Sequence, residues 1–401
     1  MLAALAVAAV ILQYAPAHAI GPPWLLGTLA LLAIVWVAWQ PAKSVRDDLL
    51  PALAVVLSAF GLGMVARLSP GLAAKQQVWI LVSLVLAIVL GPVFTNFRRF
   101  AAYKYLWVVA SLVLFALLVI FGQEVNGARL WIRLGPIQYE PIELIKLFIV
   151  FFLAAYLAET ADVIAGARPW SLRANAKYLG PLFIGWGASM AILVVQRDLG
   201  MATLLLATFG TLLFVATRRL DIVFFGALLF ALGTLWAVHH YPYVQTRIAV
   251  WHNPFAAPLG AGYQSSQAYY SLAAGGLVGS GYRLGHPEFI PDVATDYVYA
   301  AVAEEFGLIG SLIVLAIFLD LVRRIFAAGL EQPDLYAKLL ATGLAATLGF
   351  QVVIITGGVI GLLPLTGITL PFVSYGGSSL VANFLLVSLA WSLSGRPRRS
   401  T

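Results

Sequence analysis

Residues 241–297 read YPYVQTRIAVWHNPFAAPLGAGYQSSQAYYSLAAGGLVGSGYRLGHPEFIPDVATDY, the longest stretch of this chain that is too polar and too rich in glycine to cross a membrane. The stretch cannot form one long helix, because proline removes a backbone donor and glycine adds backbone freedom. A flexible connector is one interpretation. However, solvated linkers seldom carry as many aromatic residues as this stretch, which includes Trp251, Phe255 and Tyr263. We therefore predict a long ordered loop that is a working part of the protein.

The composition around this loop is that of a membrane protein. Of the 401 residues, 62% are hydrophobic and only 10% are charged, and the mean hydropathy of +0.94 excludes an ordinary soluble domain. The net charge of +7 is explained by basic loops retained in the cytoplasm, so no nucleic-acid partner is expected. The chain has no cysteine, which excludes disulfides, iron–sulfur clusters and thiol nucleophiles.

Apolar runs predict about twelve membrane spans and therefore an all-α, polytopic transmembrane helix bundle. The runs lie at 2–14, 24–39, 49–67, 78–94, 106–122, 144–158, 181–195, 201–217, 222–239, 298–322, 338–361 and 380–393. The first run precedes Ala17-His18-Ala19, which is similar to a signal-peptide cleavage site. No Lys or Arg precedes the run, so we favour a retained first span over a cleaved signal peptide.

The basic residues predict the orientation of the bundle. With the N-terminus inside, sixteen of the twenty-four Lys and Arg residues fall on the cytoplasmic side. The other eight lie near outer span ends: Arg67, Lys75, Arg129, Arg133, Lys146, Arg197, Arg247 and Arg283. For Arg67 and Lys75 we accept snorkelling or pairing with nearby carboxylates. For the others, an anion-binding role is the alternative to such structural pairing.

This topology places four segments on the outer side: 123–144, 196–200, the long loop and 362–379. In the first, Glu143 and Lys146 lie three residues apart on one helical face and can pair, with Arg129, Arg133 and Trp131 close by in sequence. Such a pair at the entrance of a span is either functional or a structural ion pair between helices. No strong internal repeat supports an inverted-repeat transporter.

The second and fourth segments carry weaker signals. In the second, Asp198 either orients Arg197 toward a phosphate or neutralises it. The fourth, LPLTGITLPFVSYGGSSL, predicts a broken helix or re-entrant turn, whose amides with Ser374, Ser378 and Ser379 can bind an anion or belong to a flexible turn. The five histidines show no metal-ligand spacing.

Together these motifs resemble a known family. NGARLWIRLG with PIELIKL, then QRDLG, PLGAGYQSSQAYYSLAAGGLVGSG, IPDVATDYVYAAVAEEFGLIG and TGITLPFVSYGGSSL are similar to the SEDS family (shape, elongation, division and sporulation), which includes RodA and FtsW. The resemblance runs from about residue 49 to 393. It implies about ten core spans within 43–401, with the outer loop at 241–297, and two additional N-terminal spans within 1–42.

The resemblance also implies a function. SEDS proteins of the RodA/FtsW kind are multi-pass proteins of the bacterial inner membrane that polymerise lipid II, a polyprenyl diphosphate-linked disaccharide pentapeptide, into glycan strands outside the cytoplasm. They work beside a class B penicillin-binding protein in cell-wall elongation or division. Inverting glycosyl transfer needs a base for the attacking hydroxyl and cations for the departing diphosphate, while a need for a divalent cation stays open.

The resemblance assigns roles to residues of this chain. The diphosphate-binding candidates are Arg129, Arg133, Lys146, Arg197, Arg247, Arg283, Ser374 and Ser378. The supporting candidates are Trp131, Glu143, Asp198, Tyr263, Gln264, Asp296, Glu304 and Glu305.

One position departs from the family pattern. The family carries its catalytic Asp immediately before the P-x-G-x-G-Y-Q run, where this chain has Ala257, and residues 241–287 contain no carboxylate. The chain is therefore an engineered inactive form, a natural relative without polymerase activity, or an enzyme that recruits Glu288, Asp292 or Asp296. The structural alternative to a catalytic role is that these three acids pair with Arg283 and Arg247, and that Glu304 and Glu305 pair with Lys146.

Two functions from other classes remain open at this point. A flippase or transporter of the lipid-linked precursor would use the same buried cations, and a non-catalytic scaffold would only hold a penicillin-binding protein. Three results separate these functions. Polymer formation from lipid II after Ala257→Asp indicates a polymerase, transfer of labelled lipid across vesicles indicates a transporter, and copurification of the partner alone indicates a scaffold.

Overall fold

The computed structural model describes residues 44–125, 128–135, 137–167 and 198–397, with isolated positions between 178 and 187. The predicted spans at 2–14 and 24–39, the N-terminal unit 1–42 and most of the predicted span at 181–195 lie outside the described residues.

The other nine predicted spans are helices. They are α1 (Leu49–Leu68), α2 (Pro70–Phe94), α4 (Lys104–Phe121), α5 (Ile142–Gly166), α6 (Leu199–Thr217), α7 (Leu220–His240), α10 (Val298–Leu330), α11 (Leu335–Val359) and α12 (Gly377–Leu393), with a single turn α3 (Arg99–Ala102) before α4. In the described part of the chain, eight of them are long and apolar enough to cross a membrane, and α12 is shorter. The predicted all-α membrane bundle is confirmed.

Small residues set how closely the central helices pack. A methyl group added at Gly343 of α11 would lie 2.6 Å from Val150 Cγ1 of α5, and one at Gly61 of α1 would lie 2.5 Å from the Phe372 carbonyl oxygen. Such close approach favours helix association where lipid offers no hydrophobic drive. Helices α1, α5 and α11 are therefore mostly buried, whereas α4 and α7 are mostly exposed on their sides.

The long loop is ordered and contains two helices. Helix α8 spans Pro242–His252, a 3₁₀ turn spans Pro254–Ala256, helix α9 spans Tyr263–Gly275 and a second 3₁₀ turn spans Pro287–Phe289. The prediction that this stretch is not one long helix is confirmed. Residues 276–281 bond to residues 304–309 of α10. There Gly307 adopts φ 68° and interrupts the helix, so that Leu308 N donates to Gly276 O at 2.9 Å.

Short strands are the feature that the sequence patterns did not indicate. Strands β2 (Gly122–Val125), β3 (Ala128–Leu134) and β4 (Ile137–Tyr139) form an antiparallel sheet between α4 and α5. Strands β1 (Ser44–Val45) and β5 (Arg396–Pro397) pair at the opposite end and join the two ends of the core. The sheet at 122–139 lies at the same end of the bundle as the long loop, which we call the loop end.

Residues 360–376 have no helix between α11 and α12, as expected for a broken helix. Gly361, Gly367 and Phe372 adopt φ of 78°, 75° and 64°, which turn the chain repeatedly. Gln76 of α2 donates to Ser374 O at 3.1 Å and accepts from Gly376 N at 3.4 Å, so this segment is held by side chains within the bundle. Irregular backbone at membrane depth needs such partners.

Candidate active site

Five segments that are distant in sequence meet at the loop end. They are the start of α5, the start of α6, α8, residues 291–297 and residues 364–379. Tyr375 N donates to Ala294 O at 2.8 Å, and Arg247 Nη1 of α8 donates to Thr366 O at 3.4 Å. Thr366 also packs on α6, since a methyl group added at Gly200 would lie 2.6 Å from Thr366 Cβ. We call this junction the polar junction.

A buried ion pair lies at its base. Glu143 and Lys146 face each other across one turn of α5 with Oε2 and Nζ 2.5 Å apart, and their side chains are 3% and 0% exposed. Lys146 Nζ also donates to Gln351 Oε1 of α11 at 2.8 Å, and Gln351 Nε2 donates to Thr369 O at 3.0 Å. The expected pairing of Glu143 with Lys146 is confirmed, and it ties α5 to α11 and the irregular segment.

Three more carboxyl groups interact around this pair: Glu140, Asp198 and Asp296. Burial raises the pKa of Glu140 well above its usual value, and the charges of Glu143, Asp198 and Asp296 raise it further. Burial raises the pKa of Asp198 to about 6, against the lowering effects of the Met201 N–H bond and of Arg247. Burial also raises the pKa of Asp296 to about 7, although the Thr295 hydroxyl and Arg247 lower it. Perturbed pKa values gathered in this way are typical of functional sites.

Serine hydroxyls at the start of α12 have partners within the protein. Ser378 Oγ accepts from Glu140 N at 2.8 Å, and Ser374 Oγ accepts from Leu370 N at 3.0 Å. The hydroxyl of Thr369 donates to Ser379 Oγ at 2.9 Å. Their predicted anion-binding role stays a prediction, and the structure adds a positional role, since Ser378 fixes the backbone of Glu140.

The turn that carries Ala257 lies beside the polar junction. Ala257 is exposed, and its carbonyl oxygen accepts from Gly260 N at 3.0 Å and from Gly262 N at 3.1 Å. The next turn, at the start of α9, bonds to residues 291–297: Gln264 Nε2 donates to Pro291 O at 2.8 Å, and Ser265 Oγ lies 2.9 Å from the Tyr297 hydroxyl oxygen. The first turn of α9, which begins at Tyr263 and follows the Ala257 turn directly along the chain, therefore contacts the segment of Asp296.

Glu304, Glu305 and the backbone of Arg283, which bonds to Glu305, belong to a second network. Arg67 Nε donates to Glu305 Oε1 at 3.0 Å, and Arg67 Nη2 donates to Gly285 O at 2.9 Å and to Glu288 Oε2 at 3.3 Å. Glu304 Oε1 accepts from His286 N at 2.6 Å. The expected pairing of Glu304 and Glu305 with Lys146 is therefore wrong, as is that of Glu288 with Arg283 or Arg247. Pairing of Arg67 with carboxylates is confirmed.

The remaining basic candidates are only partly described. Arg133 is exposed on β3, opposite Gln138 of β4, and Trp131 of the same strand is half-buried opposite Gln123. Arg197 and the side chain of Arg129 lie outside the described residues. Their roles stay predictions.

Sequence reasoning missed Glu140, Gln351 and Thr366. The sequence does contain a signal for Gln351, since a single amide side chain inside a predicted apolar span requires a hydrogen-bond partner in the bundle. Within the described residues, no group of three or more His, Cys, Asp or Glu side chains has the geometry to hold a metal ion.

Comparison with known proteins gives consistent matches over most of the chain. The model of the FtsW/RodA/SpoVE family, described as cell cycle proteins, matches residues 49–398. The peptidoglycan glycosyltransferase RodA of Mycobacterium tuberculosis is 34% identical over 401 residues, covering 94% of this chain and 85% of the relative. The probable peptidoglycan glycosyltransferase FtsW of Idiomarina loihiensis is 32% identical over 392 residues, covering 93% and 91%.

Solved structures agree. A chain of a peptidoglycan synthase complex that coordinates polymerization and crosslinking aligns with a TM-score of 0.70 and 31% identity, over 87% of this chain and 97% of that chain. The rod shape determining protein RodA of Thermus thermophilus aligns with a TM-score of 0.61 and 30% identity, over 87% and 96%. The fold, the order of the motifs and these matches agree, and this multi-pass membrane chain belongs to the SEDS family, the FtsW/RodA/SpoVE family of cell cycle proteins.

Proposed function

We propose that this chain is a peptidoglycan glycosyltransferase that polymerises lipid II on the outer face of the bacterial inner membrane. The observation that carries the proposal is the polar junction, where Lys146 and Arg247 meet three carboxyl groups of raised pKa beside the ordered loop. The relatives named above support the reaction class, because they are themselves named peptidoglycan glycosyltransferases.

The chemistry has defined requirements. A hydroxyl oxygen of one sugar attacks the anomeric carbon of another lipid-linked sugar, and the bond from that carbon to the diphosphate breaks. The diphosphate leaves with the electron pair, so a cation such as Arg247 stabilises it, while a carboxylate takes the hydroxyl proton. Arg247 is exposed and its guanidinium reaches the Thr366 carbonyl, which places it at the accessible side of the polar junction.

Orientation and partner are part of the proposal. The excess of Lys and Arg at the opposite end of the bundle supports a cytoplasmic location for that end, and hence an outer location for the loop end. A class B penicillin-binding protein is the proposed partner, supported by the similarity to a chain of a synthase complex that couples polymerization to crosslinking.

The test is polymerisation of lipid II by the purified chain and by its Ala257→Asp variant. We expect the variant to form glycan polymer faster than the native chain, by up to about a hundredfold, because it places a carboxylate at the exposed turn where the family carries its base. Absence of polymer from the variant would contradict the proposal. Transfer of labelled lipid across vesicles would then favour a transporter, and copurification of the penicillin-binding protein alone would favour a scaffold.

A further inference from the structure

The loop of this chain has no proton acceptor at the position where a base is expected. Ala257 presents only a methyl group, and no Asp or Glu occurs between residues 241 and 287. If the native chain performs the proposed reaction, the proton must pass to a group from another segment that reaches the polar junction.

Most carboxylates at the loop end already have strong partners. Glu143 pairs with Lys146, and Glu288 and Glu305 both bind Arg67. Glu304 accepts the His286 N–H, and Asp198 Oδ1 accepts the Met201 N–H at 2.9 Å at the start of α6. The cation or N–H group bound to each of these carboxylates favours its ionised form and so makes it a weaker proton acceptor.

Asp296 differs in position and in surroundings. It is partly buried, and its Oδ2 would lie 3.6 Å from a methyl group at Gly367, so the missing side chain at Gly367 leaves space on that side. Gly367 itself is exposed. The partly buried carboxyl therefore lies next to an exposed glycine of the polar junction.

The segment of Asp296 is also bonded to the helix that follows the Ala257 turn. Gln264 and Ser265, in the first turn of α9, bond to Pro291 and Tyr297 on either side of Asp296. Ala257 lies seven residues before Gln264 in the sequence, and its carbonyl oxygen accepts the Gly260 and Gly262 N–H groups in the turn that leads into α9. The first turn of α9 thus connects the Ala257 turn to the segment of Asp296.

We propose that Asp296 accepts the proton of the attacking sugar hydroxyl in this chain. This inference rests on the proposed function. As the new glycosidic bond forms and the bond to the diphosphate breaks, the hydroxyl proton moves to the Asp296 carboxylate and later to solvent, while the diphosphate keeps the electron pair.

The pKa of the Asp296 carboxyl is close to neutral pH, as a general base requires. Burial raises its pKa to about 7, the nearby Asp292 raises it further, and the Thr295 hydroxyl and Arg247 lower it. Glu140 and Tyr297 are the other titratable groups that interact with it, and the Asp198 carboxyl lies within the same junction. A base must be ionised to act, so the rate should increase with pH through this range.

The experiment compares four proteins with lipid II in the same detergent: the native chain, Asp296→Asn, Ala257→Asp and the double variant. We expect Asp296→Asn to lower the native rate by about a hundredfold, while the double variant polymerises about as fast as Ala257→Asp. Recovery in the double variant shows that the Asn side chain leaves the fold intact. Asp162→Asn, an exposed acid at the far end of α5, is the matched control and should retain the native rate.

The pH profile gives a second readout. The native rate should rise about tenfold between about pH 6 and about pH 8, whereas Ala257→Asp should change little, because an exposed Asp has a pKa of about 4. Equal rates for the native chain and Asp296→Asn would overturn the inference, as would loss of activity in both Asn variants while Ala257→Asp is active. If Ala257→Asp is also silent, the proposed function itself fails.

Discussion

The Glu143–Lys146 pair shows how far single residues can be understood from the sequence. Their three-residue spacing on a helix predicts the contact, and the structure places the two charges 2.5 Å apart in the interior. The third member, Gln351, lies 205 residues from Lys146, so no local pattern could connect them. Asp296 was a candidate, but the space beside it at Gly367 depends on how distant segments pack.

Removing only one member of this pair should destabilise the bundle strongly. Lys146→Met leaves the Glu143 charge buried without its cation, and breaking such a pair costs about 3–5 kcal/mol. Replacing both residues, Glu143→Leu with Lys146→Met, removes both charges and should recover most of the loss. Thermal unfolding of the purified variants in detergent measures both effects. A double variant as unstable as Lys146→Met would show that the pair is not the cause.

At the scale of elements, the spans were predictable and the outer segments were only partly so. Twenty apolar residues identify a helix in lipid whatever its neighbours are. Strands β2 to β4 depend on pairing between segments, such as Trp131 opposite Gln123, and their mixed sequence shows no clear alternation. The kink at Gly307 was equally hidden, because it follows from the close approach of Gly279, whose N lies 2.3 Å from the position of a Gly307 Cβ.

Arg67 should control the order of the loop at this scale. It joins the end of α1 to Glu305 of α10 and to residues 285 and 288. Arg67→Gln leaves Glu305 without its cation, so we expect faster amide hydrogen exchange across residues 281–289 and unchanged exchange in α11. Lys75→Gln, an exposed cation at the same end of the bundle, is the control and should leave the loop protected. Equal exchange in the two variants would remove Arg67 from this role.

At the scale of the whole molecule, the proposed function depends on distant segments of the chain meeting at the polar junction. The segments of the polar junction run from Glu140 to Ser378 in sequence, and hydrogen bonds such as Ser378 to Glu140 and Tyr375 to Ala294 bring them together. The sequence motifs indicated that these segments share one side of the membrane. Which side chains meet there follows from the packing of α5, α6, α11 and α12, and no single motif contains that information.

The most direct test of the account is the effect of Arg247→Gln on lipid II polymerisation by the Ala257→Asp variant. Arg247 is the exposed cation of the polar junction, so its loss should lower the rate by about a hundredfold to a thousandfold through weaker stabilisation of the departing diphosphate. Arg99→Gln, which changes an exposed cation at the opposite end of the bundle, should leave the rate unchanged. Equal rates for the Arg247→Gln and Arg99→Gln variants would contradict the placement of the reaction at the polar junction.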